Sequence, residues 1–367
     1  MTTGRRLLGL GTMLLALLVV VAVVASQLVT APYVLLKPGT AYDVLAEEGP
    51  GGGPMIRIEG HETHPTEGGL RMTTVAMYGG PGHEASWWEV TWSRLRGQDE
   101  IIPREQVFPA EVTEEEVDQH SSAQMEGSQS GASVVALRAA GVEVTEEVVV
   151  GEVLPDAAAR GVLRTDDVIL EAGGRSVEQP ADVQQVVQAA EPGTKVPMRV
   201  RRDGRERTLE VPTGTAEGRT VVGVLLGARA DSAVDVTVDA GAVGGPSAGM
   251  MLSLGIYDQL TEGPLTGGED IAGTGTIDAE GQVGPIDGIR QKMIGARDSG
   301  ADWFLAPDAN CGEVVGRVPG GMEAFAVTDF SEARSTVEAI AAGDTAGLET
   351  CEQVLSEQPA PSASSAG

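Results

Sequence analysis

A long apolar run near the N-terminus constrains this chain more than any other feature of its sequence. Residues 7–25 read LLGLGTMLLALLVVVAVVA, and no charged residue lies between Arg6 and Lys37. About 20 apolar residues are what a helix needs to cross the hydrocarbon core of a bilayer. The run exceeds the roughly 7–15 residues of a signal peptide's apolar part, although the small residues of VVAS would suit cleavage. We therefore expect an uncleaved transmembrane anchor within residues 1–32, with a cleaved signal peptide as the alternative.

The charges beside this run predict its orientation. Arg5 and Arg6 precede it, and no basic residue follows it before Lys37. Because the cytoplasmic flanks of membrane spans are enriched in basic residues, we expect the N-terminus in the cytoplasm and everything after the anchor outside it. The chain has two cysteines, Cys311 and Cys351, and an oxidising compartment favours their pairing in a structural disulfide. Two buried thiols are the alternative.

The charge balance opposes several kinds of partner and cofactor. With 54 acidic and 25 basic residues, the net charge is −29, which argues against nucleic acid because phosphates require a basic surface. Lys37, Lys195 and Lys292 are followed by Pro, Val and Met, so the sequence lacks the Gly-Lys-Ser/Thr of an ATP-binding P-loop. The HETH stretch at 61–64 lacks the spacing of a zinc protease. We therefore expect no cofactor, no metal and no ATP.

The segment after the anchor is expected to be rich in β-strands. PMIRIEG and LRMTTVAMYGG alternate or carry β-branched residues between turns, which predicts mostly strand over residues 33–120. The next stretch, TEEEVDQHSSAQMEGSQSGASVVALRAAG, predicts a helix with a break near Gly127–Gly131. This helix would connect the β-rich region to the following domain.

Residues 121–214 follow the element order of a known binding domain. The pattern predicts a strand, a short Ala-rich helix, a strand ending at Leu170, a helix over Ala181–Ala190 and two strands joined at Asp203-Gly204. This order, with the spacing L-x-x-x-D-V-I-L-x-x-x-G that ends at Gly174, resembles a PDZ domain of the bacterial protease-associated type.

The resemblance to a PDZ domain implies a peptide-binding groove. An extended peptide would lie beside a strand edge, and a helix would form the other wall. The expected wall residues are Ala181, Val183, Val186 and Val187. The sequence departs from the family where Asp166 replaces a Gly and where Asp-Ala replaces the usual Ser-Pro before the Ala-rich helix.

A glycine-rich turn places a serine before an apolar helix. In GAVGGPSAGMMLSLGIYDQL, residues 241–260, Ser247 can be read as a helix cap, as part of an anion-binding loop or as a nucleophile. A nucleophile needs a base, and Lys292 lies 45 residues further on, in a helix-like IRQKMIGARDSG. A lysine acts as a base only where burial or its neighbours lower its pKa. The alternative is a surface lysine that extends its amine into water.

Two motifs that follow one another along the chain favour the nucleophile and base over the other interpretations of Ser247 and Lys292. GGPSAGMML and then GTGTIDAEGQVGPIDGIRQKMIGARDSGADWFLAP resemble the proteolytic domain of Lon-type serine peptidases, over roughly residues 217–335. The resemblance implies that Ser247 is the nucleophile, that Lys292 is the general base and that Thr274 hydrogen-bonds the lysine amine. Independently of the resemblance, backbone amides at the start of this helix can hold a developing oxyanion, and those of Gly245 and Ser247 are the expected donors.

The sequence also departs from Lon at several points. Gly244 stands where Lon proper carries Asp, Asp287 replaces one Gly of a Gly-Gly pair, and the ATPase module is missing. An anchor, a PDZ domain and a Lon-like domain together resemble the ATP-independent PDZ–Lon-like proteases of bacteria.

These observations predict an α+β protein, and the resemblance to Lon implies a catalytic domain like domain 2 of ribosomal protein S5. The expected parts are the cytoplasmic start and anchor (1–32), a β-rich region (33–120), the PDZ domain (121–214), the Lon-like domain (215–345) and a low-complexity tail (346–367) that is disordered after about residue 355.

The expected function is that of a serine endopeptidase. It would be anchored by one helix in the bacterial cell membrane and act outside the cytoplasm on unfolded or flexible proteins or peptides. Whether it forms a homo-oligomer, as ring-forming Lon subunits do, is left open. The rivals are a catalytically inactive PDZ/Lon-fold scaffold and a small-molecule kinase, whose phosphate loops resemble the Ser247 turn.

Overall fold

The computed structural model describes residues 29–108, 112–216 and 218–357. The chain divides into two compact units: the first combines the residues up to Ala140 with those from Asp235 onward, and the second runs from Gly141 to Val234. In the described part of the chain, no helix is long and apolar enough to cross a membrane. The predicted anchor at 7–25 and the last ten residues of the predicted tail lie outside the described residues.

The secondary structure follows in chain order. Before Gly141 the elements are β1 (Tyr33–Asp43), β2 (Ile56–Glu59), β3 (Gly69–Tyr78), α1 (Trp87–Arg96), β4 (Glu100–Pro103), α2 (Arg104–Val107) and α3 (Glu114–Ala139). The second unit contains β5 (Val144–Val153), β6 (Val168–Ala172), β7 (Arg175–Ser176), α4 (Pro180–Ala189), β8 (Lys195–Arg202), β9 (Arg205–Pro212), β10 (Gly214–Ala216), β11 (Arg219–Val221) and β12 (Val224–Ser232).

The remaining elements return to the first unit. They are β13 (Asp235–Val238), α5 (Gly249–Leu260), β14 (Asp270–Gly273), β15 (Thr276–Ile277), β16 (Val283–Gly284), α6 (Ile289–Asp298), β17 (Trp303–Pro307), a 3₁₀ turn (Asp308–Asn310), α7 (Cys311–Val314), β18 (Glu323–Val327), α8 (Phe330–Ala341) and α9 (Cys351–Glu357).

One mixed sheet joins the two chain segments of the first unit. Its strand order is β18-β17-β14-β3-β1-β4, and the central pair, β3 and β14, is parallel with Met72 opposite Gly273. Strands from the expected β-rich region therefore share a sheet with strands from the expected Lon-like domain. The unit boundaries lie at Ala140/Gly141 and Val234/Asp235, whereas the sequence predicted boundaries at 120 and 214. The strand pairing between distant segments explains why the first unit takes residues from both sides of the second.

The first unit also departs from prediction in its helices. The region expected to be mostly β contains α1, whose start is fixed by a reciprocal capping box of Ser86 and Glu89 and whose end has Gly97 in the left-handed conformation. The break predicted near Gly127–Gly131 is wrong, because α3 is continuous. Gly131 serves packing instead, since a Cβ there would lie 3.0 Å from the Ile277 carbonyl oxygen.

The second unit has its own sheet and core. The order β12-β5-β6-β8-β9 leaves β12 at one edge, and α4 contributes buried Val183 and Val187 to a core shared with Met198. The hairpin predicted at Asp203-Gly204 is confirmed, with both residues at positive φ between β8 and β9. The short Ala-rich helix predicted before β6 is instead a series of hydrogen-bonded turns over residues 154–163.

Candidate active site

Ser247 lies directly before α5, in the turn that the glycines permit. The helix cap is Ala248, which makes no side-chain capping bond, so the Ser247 hydroxyl does not take the capping role. Gly245 has φ +85°, a left-handed conformation that favours glycine. Ser247 is half-buried at the start of a buried helix.

Lys292 approaches this hydroxyl from α6. Its amine donates to the Ser247 Oγ at 2.7 Å and to the Thr73 carbonyl oxygen at 3.0 Å. The side chain is 4% exposed, because α6 packs this face against β1 and β3. Burial lowers the pKa of Lys292 to about 8, while the charge of Asp287 acts in the opposite direction. A pKa of about 8 leaves about a tenth of the amine neutral at pH 7.

Two threonines hold this pair from neighbouring strands. Thr73 of β3 supplies the carbonyl for the lysine amine, and its own hydroxyl donates to Gly273 O at 3.1 Å. Thr274 follows β14 and its hydroxyl donates to the Ser247 carbonyl oxygen at 3.0 Å. The role implied for Thr274 was a hydrogen bond to the lysine amine. Its hydroxyl contacts the serine backbone instead, and the lysine amine has Thr73 O and Ser247 Oγ as its acceptors.

The helix α3 controls the backbone around the nucleophile. The Gly245 amide donates to the Ser121 carbonyl oxygen at 3.0 Å, and the Ser128 hydroxyl donates to the Pro246 carbonyl oxygen at 2.9 Å. Of the two amides expected to form an oxyanion site, that of Gly245 is thus occupied in this conformation. The Ser247 amide makes no backbone hydrogen bond to any described residue, which leaves it available to a substrate.

Sequence reasoning did not find Thr73, Ser121 or Ser128 as parts of this site. Thr73 and Ser121 act through backbone carbonyls, which carry no signature in residue type. They reach the site from segments that are distant in sequence, by 219 residues in the case of the Thr73–Lys292 contact. A β-strand pattern at LRMTTVAMYGG was the only signal available for Thr73.

Two segments of the chain match models of known protein families. Residues 124–213 match the PDZ domain, and residues 223–337 match the Lon protease (S16) C-terminal proteolytic domain. The chain carries a PDZ domain and a Lon-type proteolytic domain. Both the Lon match and the Ser247–Lys292 geometry support a serine peptidase.

Similar curated proteins support the same assignment over short segments. The chain is 38% identical over 79 residues to Lon protease of Desulfatibacillum aliphaticivorans, covering 21% of this chain and 9% of that protein. It is 41% identical over 81 residues to Lon protease 2 of Thermus thermophilus, covering 22% and 10% respectively. It is also 40% identical over 76 residues to the probable periplasmic serine endoprotease DegP-like of Pseudomonas fulva, covering 20% and 16%.

These matches have a limited reach. The matched segments span about a tenth of the two Lon proteases. Among solved structures, the PDZ domain of the SdrC-like protein from Listeria monocytogenes aligns with 22% of this chain and 85% of its own, at 20% identity and a TM-score of 0.21.

The PDZ domain positions the predicted groove helix beside an edge strand. Of the four wall residues, Val183 and Val187 are buried in the domain core, Val186 is half-buried and Ala181 is exposed. The helix α4 lies close to β11 and β12, and Leu225 at the start of β12 is 54% exposed. Val183 and Val187, both expected to contact a peptide, are therefore part of the core instead. Ala181, Val186 and Leu225 remain accessible.

The cysteines of the Lon-type domain are joined. Cys311 at the start of α7 and Cys351 at the start of α9 form a disulfide between residues 40 positions apart. Both are fully buried in a cluster with α6 residues Ile289 and Met293. The helix α9, which lies in the expected tail, is therefore part of the folded first unit up to Glu357.

Proposed function

We propose that this chain is a membrane-anchored, ATP-independent serine endopeptidase that acts outside the cytoplasm on unfolded or flexible proteins. The observation that carries the catalytic part is the 2.7 Å contact between the Lys292 amine and the Ser247 hydroxyl. The neutral amine takes the serine proton, and the Ser247 oxygen attacks a peptide carbonyl. The lysine then protonates the leaving amine, and water hydrolyses the acyl-enzyme.

The electrostatics of the site favour this sequence of steps. A lysine with a pKa of about 8 is a stronger proton acceptor than water and still returns the proton to an amine leaving group. The Thr73 carbonyl oxygen stabilises the ammonium that forms. The free Ser247 amide at the start of α5 is suited to the developing oxyanion.

Peptide selection is assigned to the PDZ domain. An extended peptide would add to the open edge of β12, with α4 as the facing wall. The substrates of this proposal are unfolded, short or flexible chains. The uncharged run at residues 7–25 supports anchoring, and the basic residues before it support an extracytoplasmic site.

The catalytic proposal is tested by active-site labelling and casein hydrolysis without nucleotide. Wild type should react with a fluorophosphonate and cleave casein, and Ser247→Ala should do neither. Lys292→Arg should lower hydrolysis by about a thousandfold or more, because an arginine does not give up its proton. Lys195→Arg, an exposed lysine on β8, is the matched control and should remain active.

An inactive binding scaffold is the rival hypothesis. Equal labelling and hydrolysis by wild type and Ser247→Ala would remove the protease proposal, and so would a wild type with neither. Acceleration by ATP would contradict ATP independence. Flotation of the full chain with vesicles and its response to external protease test anchoring and orientation separately from catalysis.

A further inference from the structure

The helix α1 exposes apolar side chains on the face opposite its core contacts. Val90 and Ser93 are buried, and Val90 packs in a small cluster with Leu35 of β1. Trp88, Trp92 and Leu95 follow the i, i+4, i+7 spacing of a single helix face. At 100° per residue that face lies opposite the buried one. A helix at a protein surface normally presents polar side chains to water, whereas this face of α1 presents two tryptophans and a leucine.

The side chains on this outer face are large and mutually ordered. Trp88 and Trp92 are 37% and 46% exposed and Leu95 is 75% exposed. The two indole rings stack with their centroids 6.1 Å apart, and the Arg96 guanidinium lies 5.2 Å from the Trp92 ring centroid. Trp87, also on α1, is 38% exposed, so three of the four tryptophans of the chain lie on this helix.

The charges of α1 differ from those of the protein as a whole. The chain carries a net charge of −29, whereas the last turn of α1 carries Arg94 and Arg96. The single acid of the helix, Glu89, is engaged in the capping box with Ser86. Tryptophan and arginine side by side are typical of the boundary between lipid headgroups and acyl chains.

The position of α1 in the chain identifies the surface it can meet. The Ala31 amide donates to the Ala85 carbonyl oxygen at 2.7 Å, and the Trp87 amide donates to the Val29 carbonyl oxygen at 3.3 Å. The start of α1 is thus bonded to the first described residues. The apolar run ends at residue 25, and four residue steps reach at most about 14 Å. A span that ends there brings the bilayer surface to α1.

We propose that α1 lies in the lipid interface of the membrane that holds the N-terminal anchor. Trp88, Trp92 and Leu95 enter the boundary region, and Arg96, whose guanidinium lies beside Trp92, faces anionic headgroups. The proposal rests on the proposed anchor, and adds a second lipid contact made by the folded first unit.

This contact would orient the catalytic pair relative to the bilayer. Directly after α1, the Gly97 carbonyl oxygen accepts from Arg290 at 2.7 Å and the Gln98 carbonyl oxygen accepts from Gln291 at 3.3 Å. Both donors belong to α6 and precede Lys292 by one or two positions. If α1 lies on the lipid surface, these hydrogen bonds hold α6 and its Lys292 at a fixed orientation to the bilayer. That orientation would set the direction from which substrates reach Ser247.

The test uses tryptophan fluorescence of the full chain in phosphatidylcholine–phosphatidylglycerol vesicles, with and without bromine on the acyl chains. Trp303→Phe retains only the three tryptophans of α1. The matched control, Trp87→Phe/Trp88→Phe/Trp92→Phe, retains only Trp303, which lies on β17, three strands from β1 in the sheet. Brominated lipid should quench the emission of the first protein and leave that of the control unchanged.

The outcomes separate this proposal from the anchor. Flotation with the vesicles reports the anchor independently of fluorescence. Equal emission of Trp303→Phe in both kinds of vesicle, in chains that float, would overturn the α1 contact alone and is what a second copy or a protein partner on this face would give. Chains that do not float overturn both proposals. Wild type supplies a second reading, since the emission of Trp88 and Trp92 should be quenched while that of Trp303 is retained.

Discussion

Lys292 is the residue on which the proposed chemistry depends, and its protonation makes a direct prediction. Burial lowers its pKa to about 8, so the fraction of neutral amine rises as the pH passes through that value. We expect kcat/KM for a soluble peptide to increase with pH and level off above about pH 9, with an apparent pKa near 8. Initial rates across the pH range measure this.

Asp287 provides the control for that profile. Its negative charge favours the protonated lysine and raises its pKa, so Asp287→Asn should move the pH profile toward lower pH. A role in folding alone would change the rate without moving the midpoint. A flat profile for wild type, or an alkaline shift in Asp287→Asn, would contradict the assignment of Lys292 as base.

Asp258 predicts a different pH dependence, of stability rather than rate. It is fully buried near the end of α5, one carboxylate oxygen accepts from the Leu265 amide at 2.7 Å, and the other has no partner among the described residues. Burial, with a smaller effect from the nearby Asp43 charge, raises its pKa to about 6. The folded protein thus binds more protons than the unfolded chain between the ordinary aspartate pKa of 3.8 and about 6.

The sign of the effect follows from this difference. Stabilisation by the protonated carboxyl is full below about pH 4 and is lost as the pH rises through about 6. Between pH 5 and 7.5 wild type should lose about 1 kcal/mol of unfolding free energy relative to Asp258→Asn. Urea unfolding of both proteins at the two pH values checks this, and equal losses would show that Asp258 does not titrate near 6.

At the scale of elements, the site depends on close packing between α5, β15 and α3. Gly249 begins α5, two residues after Ser247, and a Cβ there would lie 2.8 Å from the Ile277 Cγ2 and 3.1 Å from the Ile277 amide nitrogen. Gly249→Ala should therefore push the first turn of α5 out of place. Because a displacement of about 1 Å can cost about a hundredfold in rate, we expect a loss of that order in kcat.

The matched control is another helical glycine in the same unit. Gly127 lies in the middle of α3, and a Cβ there would meet no atom within 4 Å. Gly127→Ala should keep full activity and raise stability by roughly 0.5–1 kcal/mol. If both variants were fully active on a peptide substrate, the first turn of α5 would not require the observed packing.

Local sequence patterns predicted most single elements but missed some helices. The hairpin at Asp203-Gly204 and the helices of IRQKMIGARDSG and FSEARSTVEAIAAG follow from turn chemistry and apolar spacing. The helix α1 lies in the region expected to be mostly strand and was missed, although Ser86 and Glu89 gave a capping signal, because its apolar face points outward rather than into the core. Element type is least predictable where the apolar side does not enter the core.

At the scale of the whole molecule, local pattern predicted the catalytic pair and not its surroundings. Ser247 and Lys292 sit in motifs whose spacing is read directly from the chain. The backbone carbonyl of Thr73 reaches the lysine because β3 and β14 pair across the residues of the second unit. A pairing between strands so far apart in sequence leaves no periodic signal in the residues. For the same reason, the sequence did not indicate that the β-rich region belongs to the same unit as the catalytic pair.

The two units predict separable stability. Met198 is fully buried in the core of the second unit, and Phe304 is fully buried in the first, in a cluster with Ile289 and Met293 of α6. Truncating either side chain to alanine should cost about 2–5 kcal/mol. Calorimetry of wild type should give two transitions, Met198→Ala lowering one of them and Phe304→Ala the other.

Activity should follow only one of these transitions. Ser247, Lys292 and Thr73 all belong to the first unit, so Phe304→Ala should weaken the support of α6 and reduce hydrolysis of a short peptide. Met198→Ala should leave that hydrolysis intact at temperatures where the second unit has melted, while slowing cleavage of casein if PDZ binding delivers long substrates. A single transition shifted equally by both variants would mean that the first and second units fold as one.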